Sequence, residues 1–103
     1  MIISTTETIQ GKPVIETLGL VMGNTIRAKD IGKDIGAGLK SIIGGELKSY
    51  TNMMTESRNE AVSRMIEQAQ GTGANAVIGV KFTTSMVVGG AAEILAYGTA
   101  VKI

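Results

Sequence analysis

The side chains best suited to chemistry in this chain are Tyr50, Glu56, Arg58, Glu60, Arg64 and Glu67, close together in sequence, with Glu16 far upstream. A guanidinium at Arg58, beside an apolar stripe, suits a carboxylate or phosphate, because its planar fork donates paired hydrogen bonds to such groups. Tyr50 lies two turns earlier on a similar side and could donate its hydroxyl. Arg58, Tyr50 and Glu16 are therefore the candidate ligand contacts. The competing reading makes Arg58 half of a structural ion pair, with Glu16 or Glu93 across a subunit boundary. Glu56 and Glu60 stand four residues apart with Glu67 further on, a spacing that could offer oxygens to a hard cation. Arg58 and Arg64 interleave with them, which favours a solvated, self-paired face. Asp30 and Asp34 repeat that spacing, but Asp30 is better read as a helix cap.

Other chemistry is excluded by composition. With no His and no Cys, the chain lacks the usual base near neutral pH, both histidine-dependent triads, and the ligands of a closed zinc or copper(I) site. Adding further copies of the chain cannot supply them. Met53, Met54 and Met65 could suggest a thioether cluster, yet Met54 and Met65 fall on the apolar stripe and read as core. Met22 and Met86, on strands, are read the same way. Gly36, Gly38, Lys40 and Ser41 imitate a phosphate loop at the wrong spacing, and they lie inside a helical pattern. Ser63 and Thr84 have no histidine to activate them.

The 103 residues suffice for one domain, residues 1–103, around one core. Ten basic against nine acidic residues give a net charge of +1, so no electrostatic capture of nucleic acid or an anionic membrane is expected. Glu93 interrupts the apolar C-terminal stretch and no run reaches the length of a membrane span. With no signal-like start and no cysteine, the expected address is the cytoplasm. Aromatic residues make up only 3 % of the chain while glycine contributes 14 residues. The large side chains that bury most surface are therefore scarce, and a lone copy should be marginally stable.

These residues must be positioned by a short strand at Met1–Thr6, a loop through Gly11 and Pro13, and a long strand over Val14–Ala28. On the long strand Val14, Leu18, Leu20, Met22 and Ile26 predict the buried face. Gly19 and Gly23 on the opposite face permit a bulge or the close approach of another backbone. A glycine-rich helix is expected from Asp30, through Ile31, Ile35, Leu39 and Ile42, to Gly44 and Gly45. A longer helix follows from about Leu47 to Thr72, with Tyr50, Met54, Ala61, Met65 and Ala69 on its stripe. Glu60 and Arg64 pair along it, and Gly73 supplies a left-handed cap. Ala76–Val88 and Glu93–Ile103 form a hairpin across Gly89, Gly90 and Ala91. The expected fold is a two-layer α+β subunit, β-α-α-β-β, with a mainly antiparallel three-stranded sheet plus the short N-terminal strand. Apolar residues lie on both faces of the last strands, and helices cover only one, so self-association is expected.

The chain resembles the YbjQ-like family of bacterial proteins of unknown function, labelled heavy-metal-binding. The resemblance runs through Ser4, Thr5 and Thr6, Glu16, Gly19, Val21 and Gly23, and Gly44, Gly45 and Tyr50. It continues through Arg58, Ala61 and Ala69, the block Gly73-Ala74-Asn75-Ala76-Val77-Ile78-Gly79, and Gly98-Thr99-Ala100-Val101. It implies a dodecin-like subunit and a ring-shaped homopentamer in which strands of neighbouring subunits form a barrel. It carries over no catalytic residue and leaves any cofactor unknown. The leading expectation is a non-enzymatic cytoplasmic homo-oligomer that binds a small ligand or a partner. Its rivals are a metal-binding protein using oxygen ligands and an enzyme with a site between subunits.

Overall fold

The computed structural model describes residues 1–27, 48–86 and 91–103, and the side chains of 48–50 lie outside that description. The glycine-rich helix expected from Asp30, the segment Gly36 to Ser41 and the Gly89–Gly90 turn also lie outside it. The elements are β1 (Ile2–Ile3), β2 (Glu16–Arg27), α1 (Lys48–Gly71), β3 (Ala76–Met86) and β4 (Ala92–Lys102). Helix and long strand nearly match in length: 24 helical residues span about 36 Å and 12 extended ones about 40 Å. The two can therefore lie along one another from end to end. Gly73 adopts φ +85° and closes the helix, with the Ala74 N–H returning to the Ala69 carbonyl at 3.3 Å, as its sequence position predicted.

The sheet has four strands in the order β1-β3-β4-β2 and is mixed. This corrects the expected mainly antiparallel three-stranded sheet plus short N-terminal strand: the short strand is a full member of one mixed sheet. β1 joins as a parallel edge on β3, pairing Ile2 with Ala76 and Ile3 with Val77, while β4 runs antiparallel to both β3 and β2. Its incorporation is secured beyond the two paired residues. A strap after β1 accepts the Val80 and Gly79 N–H groups on the carbonyls of Ser4 and Thr6, at 3.0 and 2.8 Å.

The buried face of β2 is the other one. Val21, Gly23 and Thr25 are buried, while Val14, Leu20, Met22 and Ile26 of the expected face are exposed and only Leu18, at the bulge, packs against the core. The reason is steric. A Cβ on Gly23 would lie 2.3 Å from both the Ala61 carbonyl oxygen and the Met65 nitrogen, so α1 rests its backbone on the strand where a side chain is missing. The register breaks between Thr17 and Gly19, and Gly19 takes φ +109°, so the anticipated bulge is present as well. Alternation alone could not say which face the helix takes, because the larger side chains lie on the face it leaves.

One row across the helix-side face grades in size, from Gly23 through Ala96 to Phe82. α1 lies over the small β2 and β4 members. The core consists mainly of alanine and valine (Val21, Ala61, Ala69, Val77, Val80, Ala96, Ala100) with Met65 and Ile94 as its larger members. Met65 is fully buried, and Met54 packs against this cluster. Met22 and Met86, expected in the core, are instead 42 and 71 % exposed, because one lies on the outer sheet face and the other on a part of β3 beyond the helix.

Candidate functional site

Polar side chains gather along the seam between α1 and β2. Ser57 is buried, and its hydroxyl donates to the Met53 carbonyl at 2.8 Å while accepting from Arg27 Nε at 2.9 Å. The Thr25 hydroxyl, buried as well, donates to the Ser57 carbonyl at 3.1 Å. Arg27 Nη2 reaches Glu60 Oε2 at 2.7 Å, and Arg64 Nη2 takes Glu60 Oε1 at 2.5 Å. Glu60 thus divides its two oxygens between two guanidiniums, and the trio keeps a net positive charge. The expected Glu60–Arg64 pair is present; Arg27 was missed, since its partner lies 33 residues away and no local spacing reports it.

Two further contacts reach over the outer edge of β2. Gln68 Oε1 accepts the Met22 N–H at 2.6 Å, and Arg64 Nη1 donates to the Asn24 carbonyl at 2.6 Å. Both backbone groups point away from β4, so helix side chains cap part of an otherwise open edge. On the outer face, Asn24 Nδ2 donates to Glu93 Oε2 at 3.1 Å.

The candidate ligand contacts are not gathered within one chain. Arg58 is exposed on α1, and its Nη2 donates to Thr55 Oγ1 at 3.2 Å. Tyr50 lies in the first turn of α1, with its side chain outside the described residues. Glu16 opens β2 and faces Lys102 Nζ at 3.6 Å. Arg58 follows Ser57, which touches the other end of β2 through Arg27, so Glu16 and Arg58 stand about 35 Å apart along the strand. Neither Glu16 nor Glu93 pairs with Arg58 among the described residues.

A family model described as "Putative heavy-metal-binding" matches residues 1–103. A UPF0145 protein of Thermosipho africanus is 58 % identical over the whole chain and 95 % of its own length. One from Vibrio campbellii is 58 % identical over 99 % of its length, and one from the archaeon Methanosarcina acetivorans 59 % over 97 %. The expectation of a purely bacterial family is thereby corrected. A solved structure from Pediococcus pentosaceus, a protein of unknown function in the DUF74 family, superposes with TM-score 0.66. It covers all of this chain and 97 % of its own at 20 % identity, which supports the fold alone.

The residues present do not fit a heavy metal. Soft ions prefer thiolate, imidazole or gathered thioethers, and the chain has no Cys and no His. Met65 is sealed in the core, and Met22 and Met86 lie on opposite sheet faces. Among the described residues no three Asp or Glu come together, and both Glu60 oxygens are held by guanidiniums.

Proposed function

The chain belongs to the YbjQ-like family along its whole length, and from that premise we propose that it acts as a homo-oligomeric binding module, without catalysis, for a small ligand or a partner protein. The observation that carries this reading is the uncovered outer sheet face. There Leu20, Met22 and Ile26 stand exposed beside Thr99, Tyr97 and Glu93 of β4, and among the described residues no second layer lies over them. Apolar strand residues in such number are covered by another protein surface in water. Self-association is the economical cover, because it needs no other gene product. Glu16 and Arg58, far apart in one chain, would serve one ligand only where two copies meet, with Arg58 as the contact for a carboxylate or phosphate and Tyr50 as a hydroxyl donor. The ring of five subunits implied by the resemblance is the stoichiometry to test.

Light scattering on the purified chain is expected to return a mass several times that of one copy, five being the specific expectation. A stable single copy at micromolar concentration would end the reading. A thermal-shift screen with inorganic phosphate and small dicarboxylates is expected to raise the melting temperature, and Arg58→Ala to abolish the rise. A shift that survives the substitution removes Arg58 from the site.

A further inference from the structure

β3 carries one extra residue against β4, the register shifting between Ile78 and Lys81, and Gly79 at that point takes φ +61°. In an unbroken strand successive N–H groups alternate between the two edges. At this bulge the Gly79 and Val80 N–H groups both turn to the outer edge, where the carbonyls of Thr6 and Ser4 receive them at 2.8 and 3.0 Å. The strap is shaped to match. Its Thr6 N–H donates to Ser4 Oγ at 3.1 Å, and the Thr6 hydroxyl donates to the Thr8 carbonyl at 2.5 Å. The 2.6 Å contact between the two side-chain oxygens is then a bond donated by Ser4 to Thr6. One hydroxyl, that of Ser4, thus fixes the turn that holds both carbonyls against the bulge.

Little apolar surface secures this arrangement. No residue in 1–13 is buried, none belongs to the core cluster, and Ile2 and Ile3 are each 40 % exposed. Val77 and Val80, on the other side of the same hydrogen bonds, are buried members of that cluster. Segments tied by exposed backbone hydrogen bonds and few apolar contacts open at lower free energy than the core they lie against.

We infer that residues 1–13 form a latch that opens and closes as one unit against the β3 bulge while α1 and the three long strands stay folded, with the Ser4 hydroxyl as its catch. The ties are linked, which makes the latch a unit. Ser4 binds β3 on both sides of Gly79, its N–H on the Val77 carbonyl at 2.9 Å and its carbonyl on the Val80 N–H, and it also sets the turn that brings Thr6 to Gly79. Gly11, at φ +77°, lies in the connection that follows and gives it a pivot. The body resumes at Ile15, whose N–H donates to the Lys102 carbonyl at 2.7 Å. An open latch bares the outer edge of Ala76–Val80 and leaves two adjacent donors, the Gly79 and Val80 N–H groups, to water. The device is contained within one chain and is separate from the oligomeric reading above.

Native-state hydrogen exchange on the full chain, followed by residue across low urea concentrations, is the test. The amides of Ser4, Gly79 and Val80 are expected to exchange through one common opening, at least tenfold faster than those of Leu95 to Ala100 in β4. Ser4→Ala is expected to speed Gly79 and Val80 about tenfold further and to leave the β4 amides unchanged. Exchange of Gly79 and Val80 only at the rate of the β4 amides overturns the latch, as does a Ser4→Ala effect that reaches β4 equally. Three unrelated rates for Ser4, Gly79 and Val80 overturn it as well, since no single unit then opens. Should Ser4→Ala fail to fold, the urea dependence in the unmodified chain decides alone: a shallow slope shared by the three amides supports the latch, and the steep slope of global unfolding overturns it.

Discussion

The chemistry of single residues here turns on how many partners each has. Glu60 serves Arg27 and Arg64 together, and Arg27 also donates to the buried Ser57 hydroxyl, so the seam is a network rather than a pair. Its worth is limited by exposure, the Glu60 side chain being 39 % accessible. Glu60→Gln is therefore expected to cost only about 1 kcal/mol in a urea titration at low salt. Most of that loss should vanish in molar salt, where charges at the surface are screened. An equal loss at both salt concentrations would mean that shape rather than charge matters there. The i, i+4 partner Arg64 was legible in the sequence because helical spacing is local. Arg27 was not, because its side chain meets Glu60 only after β2 and α1 have packed together. The candidate ligand residues were chosen by chemical type, and chemical type carries no information on distance: Arg58 and Glu16 fall near opposite ends of β2.

At the scale of elements, periodicity located α1 and the long strands to within two residues or so at each end, yet misjudged the buried face of β2. Hydrophobic alternation names two faces and ranks them by side-chain size. The helix obeyed a different rule, contact between backbones, which the same pattern recorded only as a glycine. Gly23→Ala tests this directly. The new methyl group would fall 2.3 Å from two backbone atoms of α1, neither of which can turn aside as a side chain would. A loss of roughly 3 kcal/mol or more is expected, seen as a lower urea midpoint. A midpoint unchanged within error would show that α1 can lift from the strand at little cost. The short N-terminal edge strand was legible in its β-branched residues, but its parallel pairing with β3 was not, because two paired residues carry no sign of their partner and a strap of backbone hydrogen bonds fixes them.

At the scale of the molecule, many of the larger side chains among the described residues lie outside and mostly small ones inside. Seven of the nine buried members of the core cluster among those residues are alanine or valine, whereas Leu20, Met22, Ile26, Phe82 and Met86 are exposed. A subunit of this form gains stability by mass action when copies associate. Its melting temperature is expected to rise with protein concentration across the micromolar range, as calorimetry would register, and a concentration-independent value would mean that the single chain is self-sufficient. The scarcity of aromatics and the two-sided apolar strands made association an expectation from the sequence. Which large side chains stay exposed was not legible, since that depends on the face of β2 that α1 takes.

The notch at Gly23 also restricts how the subunit can move. The side chains of Val21 and Thr25 flank it on the same face of β2, so α1 sits as if in a detent. Sliding by one step along the strand would drive its backbone onto a branched side chain. Any shift of α1 must therefore either lift it from the strand or carry β2 with it, and with β2 the strand β4 that pairs along its whole length.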